Sequence, residues 1–215
     1  LAYETVLLEG KQMSGRKGIT VSVDEVMDEA VRRARTIIAE KNPDHPNPDT
    51  AAEQVGVGAV RFAMIKTEAK KQIDFRYEQA LSFEGDTGPY IQMAYARASS
   101  ILRKAGEQGL SAEKADFAQT TIHEVELSKT LIRFSEAVQD AARNKAPHIL
   151  AQYLLDLAAA WHSYYNAKTP DGKPATVVLA ASEGLRGVRL ELVKSLQSTL
   201  KMGLTLVGLG APEVM

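Results

Sequence analysis

The densest concentration of groups able to bind phosphate lies near the start of the chain, in Lys11-Gln12-Met13-Ser14-Gly15-Arg16-Lys17-Gly18. Small residues beside adjacent cations let backbone N–H groups and the ammonium and guanidinium heads close over phosphate oxygens. The same composition also describes a solvated turn. The segment lacks the Gly-Lys-Ser/Thr ending of a phosphate-binding loop, and no dinucleotide fingerprint occurs elsewhere. Other reactive constellations are scarce. There is no cysteine, which excludes a disulfide framework and thiolate metal or redox sites. The histidines His45, His123, His148 and His162 stand far apart. Glu124 and Glu126, two apart on an expected helix, face away from each other, which argues against acid/base or metal work for the pair.

The elements that must position these groups follow from periodicity and caps. Short β-branched stretches, Tyr3 to Leu8 and Ile19 to Val21, flank the loop at 11 to 18 and predict strand, loop, strand or extended chain. Ser22 with Glu25 forms a capping box, and Val23, Val26, Met27, Ala30, Val31, Ala34, Ile37 and Ile38 recur at helical spacing, predicting a helix to about Glu40. Three prolines between Asn42 and Asp49 predict a loop. A helix follows from about Thr50 to Lys66, in which Gly56 and Gly58 suggest close backbone packing. Pro89 suits the first turn of a helix to about Ala105. Further helices are expected at about 111–128, 130–144, 147–166 and 183–202, the last closed by Gly203. Five amphipathic helices with short connections predict a bundle for the later two-thirds of the chain.

The 215 residues, 45% hydrophobic and 25% charged, are those of an ordinary globular protein of one or two domains. A net charge of -1 offers no bulk attraction to nucleic acid or membrane, so a polyanion would have to be met locally. Two segments could do so. Arg61, Lys66, Lys70, Lys71 and Arg76 oppose only Glu68 and Asp74, an excess of three positive charges. Arg186, Arg189, Lys194 and Lys201 oppose only Glu191, again an excess of three. Either could equally be a solvated helix face. No apolar run reaches the roughly 20 residues of a membrane helix, no signal peptide is recognisable, and a cytoplasmic location is the default.

Several segments resemble one family. Gln12-Met13-Ser14-Gly15-Arg16 resembles the KMSKS signature loop of class I aminoacyl-tRNA synthetases, and Met13 to Gly18 looks like its arginyl-tRNA synthetase form. Phe83-Glu-Gly-Asp-Thr-Gly-Pro-Tyr-Ile-Gln92, then Ala96-Arg97, is similar to the segment opening that family's DALR anticodon-binding domain. Arg189 to Val193, Leu200 to Leu209 and the closing Pro212-Glu213-Val214-Met215 look like its last helix and tail. Gln12 and Gly15 stand where the signature has lysines, so its charge would fall to Arg16, Lys17 or Lys11. The family's His-Ile-Gly-His motif is absent.

The resemblance implies a mainly α fold: a helical bundle over 83–215, preceded over 1–82 by a strand-loop-helix remnant of a catalytic domain. It implies the C-terminal part of an enzyme that activates arginine with ATP and Mg2+ and transfers it to tRNA(Arg), with Leu1 falling late in the catalytic domain. A standalone RNA-binding helical module is the alternative. Arg16 and Lys17 would carry the phosphate charge, with Met13, Ser14 and Gly15 binding the nucleotide. Single-stranded bases are read by stacking on aromatic and guanidinium planes. The resemblance assigns that role to Tyr90, Arg97 and Tyr165, with Met215 beside the anticodon; a tRNA running from the catalytic side to the helical domain would pass the first basic stretch, so Lys70 and Arg76 are expected near its backbone. Tyr95 and Trp161 are open to a core role. The chain alone is expected to be an inactive monomer holding no cofactor and touching no membrane.

Overall fold

The computed structural model describes residues 4–12 and 20–215. The expected signature-loop residues Met13, Ser14, Gly15, Arg16 and Lys17 lie outside the described residues, as do Tyr3 and Ile19. Three short strands open the fold: β1 (Val6–Leu8), β2 (Lys11–Gln12) and β3 (Ile73–Phe75), in the order β2-β1-β3. β1 pairs antiparallel with β2 and parallel with β3, with Val6 opposite Ile73 and Leu8 opposite Phe75. Lys11 and Gln12, expected in a loop, are therefore the second arm of a hairpin. Its turn places Glu9 and Gly10 at positive φ, and the Gly10 amide donates to Asp74 at 2.8 Å. Thr20 and Val21 are not a strand.

The capping box forms as expected. The Ser22 hydroxyl accepts from the Glu25 amide at 3.1 Å, and the Glu25 carboxylate accepts from the Ser22 amide at 2.7 Å. It starts α1 (Val23–Lys41), which buries Ala30, Ala34 and Ile38 at four-residue intervals. α2 (Pro48–Ile65) packs along it through small residues. At Gly56 a Cβ would lie 2.6 Å from both the Cα and the N of Val31, so only glycine lets the two backbones approach. A first hydrophobic core forms here around Ile38, Val55, Val60, Phe75, Tyr77 and Leu81, with the single turn α3 (Tyr77–Ala80) beneath it.

The second core gathers α4 (Gly88–Glu107), α5 (Ile122–Leu131), α6 (Phe134–Asn144), α7 (Pro147–Tyr165) and α8 (Glu183–Leu206). Prolines open α2, α4 and α7, where a missing N–H costs nothing. The helix expected at 111–128 is shorter than its apolar pattern suggests. Residues 112–116 are pinned against α8: a Cβ on Gly187 would lie 2.6 Å from Ala115 Cα, and the Asp116 amide donates to the Gly184 carbonyl at 3.1 Å. A 3-10 turn spans Phe117–Gln119, and α5 then starts at a second capping box, Thr121 with Glu124. The next helix starts at Phe134 rather than near 130. The Tyr153 hydroxyl reaches the carbonyls of Thr130 and Leu131 at 3.2 and 3.3 Å, capping the end of α5.

The expected stop at Gly203 is also displaced. α8 runs through it to Leu206, and Gly203 is a packing glycine whose Cβ would lie 2.3 Å from Leu154 Cδ2. The actual terminator is Gly208 at φ 72°, with its amide on Thr205 O at 3.0 Å and the Leu209 amide on Leu204 O at 2.8 Å. That is a Schellman closure, which needs a left-handed residue. Among the described residues no helix is long and apolar enough to cross a membrane.

One ion pair is buried within this bundle. Arg189 Nε donates to Glu124 Oε1 at 2.8 Å, and their side chains are only 5% and 2% exposed. The Tyr164 hydroxyl donates to the same oxygen at 3.0 Å, and the Thr121 amide and hydroxyl donate to the other. The remaining Arg189 donors reach the carbonyls of Val177, at 2.8 Å, and Ala175, at 3.1 Å. Burial pushes the Glu124 carboxyl up, but the Thr121, Tyr164 and Arg189 partners together outweigh it and leave it below its ordinary 4.5.

Two outcomes are expected. Gly56→Ala should lower stability, because overpacking against backbone costs about 1–3 kcal/mol while the gain in helix propensity is at most about 1 kcal/mol; an unchanged urea midpoint would contradict the close approach. Arg189→Met should cost about 3–5 kcal/mol at neutral pH by stranding a buried carboxylate. Because the folded carboxyl lies below its unfolded value, the unfolded chain binds more protons, so stability is fully present above about pH 4.5 and falls as pH drops further. Urea unfolding of Glu124→Gln against wild type across that range should show a shallower acid loss in the variant.

Candidate nucleic-acid interface

α4 is aimed by its cap. Thr87 Oγ1 donates to Ser82 O at 2.6 Å and accepts from the Tyr90 amide at 3.1 Å, so the helix begins on the turn that follows Phe83. Its inner face buries Ile91, Gln92, Ala94, Tyr95, Ala98 and Ser99. Tyr95, only 1% exposed, is therefore core. Tyr90 and Arg97, two turns apart, stay partly exposed at the edge that faces α7.

On α7 the aromatic group divides by depth. Trp161 is fully buried and stacks on Tyr164 with ring centroids 5.6 Å apart and planes 17° apart. Tyr165 is 47% exposed and rests its ring against Trp161 at 5.9 Å. Arg97 reaches across from α4 and sets its guanidinium carbon 5.4 Å from the Tyr165 ring centre. The same guanidinium donates from Nη1 to His162 Nδ1 at 2.9 Å. The Tyr90 ring lies 4.6 Å from the imidazole, centroid to centroid, tilted by 44°. Tyr90, Arg97 and Tyr165, expected to act together, thus meet around His162.

His162, outside any recognisable motif, is the member of this cluster that sequence pattern does not single out. Its position one helical turn before Tyr165 was the available signal. Burial and the Arg97 charge both push its imidazole below its ordinary 6.5. Burial likewise raises the Tyr90 hydroxyl, so near neutrality the only charge at the centre of the cluster is the guanidinium. Two hollows flank it. One, of about 840 Å³, lies between α5 and α7; the other, of about 680 Å³, lies between Tyr165 and the loop after α7. Both touch Asn166, Ala167 and Lys168, and each is large enough for a nucleotide.

The other expected contacts lie elsewhere. Met215 packs against the first core; its carbonyl accepts from Asn42 Nδ2 at 3.3 Å, and His45 Nε2 lies 3.1 Å from the Val214 carbonyl. Lys70 and Arg76 flank β3, where Arg76 pairs with Asp74 at 2.8 Å. Of the other cations in that stretch, Arg61 donates to Gly208 O and Lys66 to Asp86 O, both at 2.7 Å, and Lys71 lies 3.8 Å from Glu68. The second basic stretch loses a member, because Arg189 is neutralised in the core by Glu124; Lys194 and Lys201 remain exposed. Among the described residues no group of three His, Asp or Glu side chains is placed to hold a metal.

Comparison with known proteins places this geometry. Residues 91–215 match the DALR anticodon binding domain family, and residues 4–77 match the catalytic domain of class I (R) tRNA synthetases. An arginine–tRNA ligase of Thermus thermophilus is 65% identical over the whole chain, which spans 36% of that relative. One from Deinococcus radiodurans is 46% identical, with the same 36% spanned. The solved Thermus thermophilus arginyl-tRNA synthetase superposes with a TM-score of 0.93 at 63% identity, covering 100% of this chain and 35% of that one. A putative arginyl-tRNA synthetase from Campylobacter jejuni shares the fold, with a TM-score of 0.65 at 18% identity. The chain spans little more than a third of the relatives it matches, and it belongs to the DALR anticodon binding domain family.

Proposed function

We propose that the chain is the anticodon-binding part of an arginine–tRNA ligase, together with the segment of the catalytic domain that carries the signature loop. The observation that carries this reading is Tyr165, an exposed ring flanked by the Arg97 guanidinium while Trp161 and Tyr164 on the same helix are buried. Such a pair offers an unstacked base two planes and a positive charge at once. Tyr90, Arg97 and Tyr165 would meet anticodon bases, Met215 would lie beside them, and Lys70 and Arg76 would face the tRNA backbone. The division into residues 1–82 and 83–215 is supported by the two hydrophobic cores, although Phe62 enters the later core and Met215 the earlier.

In the complete enzyme, arginine's carboxylate would attack the α-phosphate of ATP, and the arginyl group would then pass to the terminal ribose of tRNA(Arg). Arg16 and Lys17 would stabilise the departing pyrophosphate with Mg2+ present, and Met13, Ser14 and Gly15 would shape the nucleotide contact. The complete enzyme is read as a cytoplasmic monomer.

The present chain should show no arginine-dependent ATP–pyrophosphate exchange, and robust exchange would overturn the assignment of adenylate formation to parts of the enzyme beyond it. It should bind tRNA(Arg) with an affinity that falls as salt rises. Tyr165→Ala should weaken that binding by about 1–3 kcal/mol, and an unaltered titration would remove Tyr165 from the interface.

A further inference from the structure

Arg97 and Tyr165 stand on different helices, and a long flexible side chain does not stay over a ring unless something holds it. A guanidinium has only donors to offer. The 2.9 Å contact between Arg97 Nη1 and His162 Nδ1 therefore requires a bare lone pair on Nδ1 and places the imidazole proton on Nε2. The Tyr90 ring packs against the imidazole, centroids 4.6 Å apart and planes tilted by 44°. We propose that His162 is a positioning residue for the RNA site: its Nδ1 lone pair holds the Arg97 guanidinium against the Tyr165 ring, and protonation of Nδ1 releases it.

This rests on the reading of Arg97 and Tyr165 as RNA contacts. The titratable and charged groups around His162 are Arg97 and Tyr90 from α4, Tyr164 and, across the Arg97 guanidinium, Tyr165 from its own helix, His123 and Glu126 from α5 across the hollow, and Lys168 after α7. Glu126 is already engaged by Lys129 at 2.7 Å. Burial and the adjacent Arg97 charge push the imidazole below its ordinary value, outweighing a Tyr90 backbone contact that pushes it up, so the ring is neutral near neutral pH and the Arg97 contact selects the tautomer. The consequence has an unusual sign. A histidine that merely lies near RNA gains a positive charge in acid and binds more tightly. Protonated His162 instead loses its acceptor and repels Arg97, so affinity falls as pH falls.

The test uses the whole 215-residue chain and a fluorescent RNA hairpin carrying an arginine anticodon loop, titrated from about pH 8 to about pH 5. Wild-type binding should weaken towards acid. His162→Phe, which keeps the ring and removes the acceptor, should bind roughly three- to tenfold more weakly at the alkaline end. His162→Asn places an oxygen that does not titrate where Nδ1 stood, so it should restore the alkaline affinity and abolish the acid loss. The imidazole nitrogen spectrum of the RNA-free chain should show the Nε2–H tautomer for His162. Wild-type affinity in His162→Phe, an acid loss that survives in His162→Asn but disappears in His123→Asn, or an Nδ1–H tautomer would each overturn the proposal. Tyr165→Ala separates the two levels. If it binds like wild type, the RNA-site reading falls. If it is weakened while His162→Phe is not, only the positioning role falls, and the nitrogen spectrum tests that role without RNA.

Discussion

The bundle depends on one buried charge pair. Withdrawing a carboxylate and a guanidinium from water is costly, and their mutual attraction offsets this only when the remaining lone pairs and protons are also satisfied. Around Glu124 and Arg189 they are: the carboxylate accepts from Thr121, Tyr164 and Arg189, and the spare guanidinium donors reach two carbonyls of the loop after α7. Glu124 is on α5, Tyr164 on α7 and Arg189 on α8, so this geometry ties three helices and a loop to one another. Tyr165 follows Tyr164 directly. With Tyr164 anchored inward, the next side chain along the helix points outward, and the exposed ring is set by a contact it does not itself make.

A second constraint joins the two cores. Gln92, fully buried on α4, donates from Nε2 to the carbonyls of Gln54 on α2, at 3.0 Å, and Gly210 in the tail, at 2.9 Å. The tail then runs back to the loop after α1, where Asn42 and His45 meet its last two carbonyls. The end of the chain is thereby packed structure, with Met215 closing the first core and not fraying from the second.

Much of the architecture was legible because it is encoded by neighbours in the chain. Ser22 and Glu25 satisfy each other's free backbone groups three residues apart, and prolines at the openings of α2, α4 and α7 act through their own backbone. Of the glycines expected to mark close backbone packing, Gly56 meets the Val31 backbone, whereas Gly58 faces the Gln92 side-chain amide, 3.0 Å from where its Cβ would lie. Where expectation failed, a distant segment intervened. Residues 112–116 carry a helical pattern but are held by α8, and Gly203, a plausible terminator by composition, is occupied by the side chain of Leu154. The parallel pairing of β1 with β3 joins segments on opposite sides of two helices, which no local pattern announces.

The candidate site divides in the same way. The sequence by itself singled out Tyr90, Arg97 and Tyr165 as candidates for meeting bases, the first two by a motif and a seven-residue helical spacing and the third by its likeness to a family tyrosine. It also determined that any nucleic-acid contact would be local, since the net charge is close to zero. Only the tertiary structure decided which members stay at the surface and what holds them there. Tyr164 and Tyr165 are the same residue type, yet one is 4% exposed and the other 47%. Arg189 looks like any basic surface residue until its partner 65 positions away is brought to it, and His162 gains a role only when Arg97 arrives from another helix. Spacing of three or four residues is written in the chain, whereas burial and hydrogen-bond partnership depend on surfaces that meet only when the helices pack.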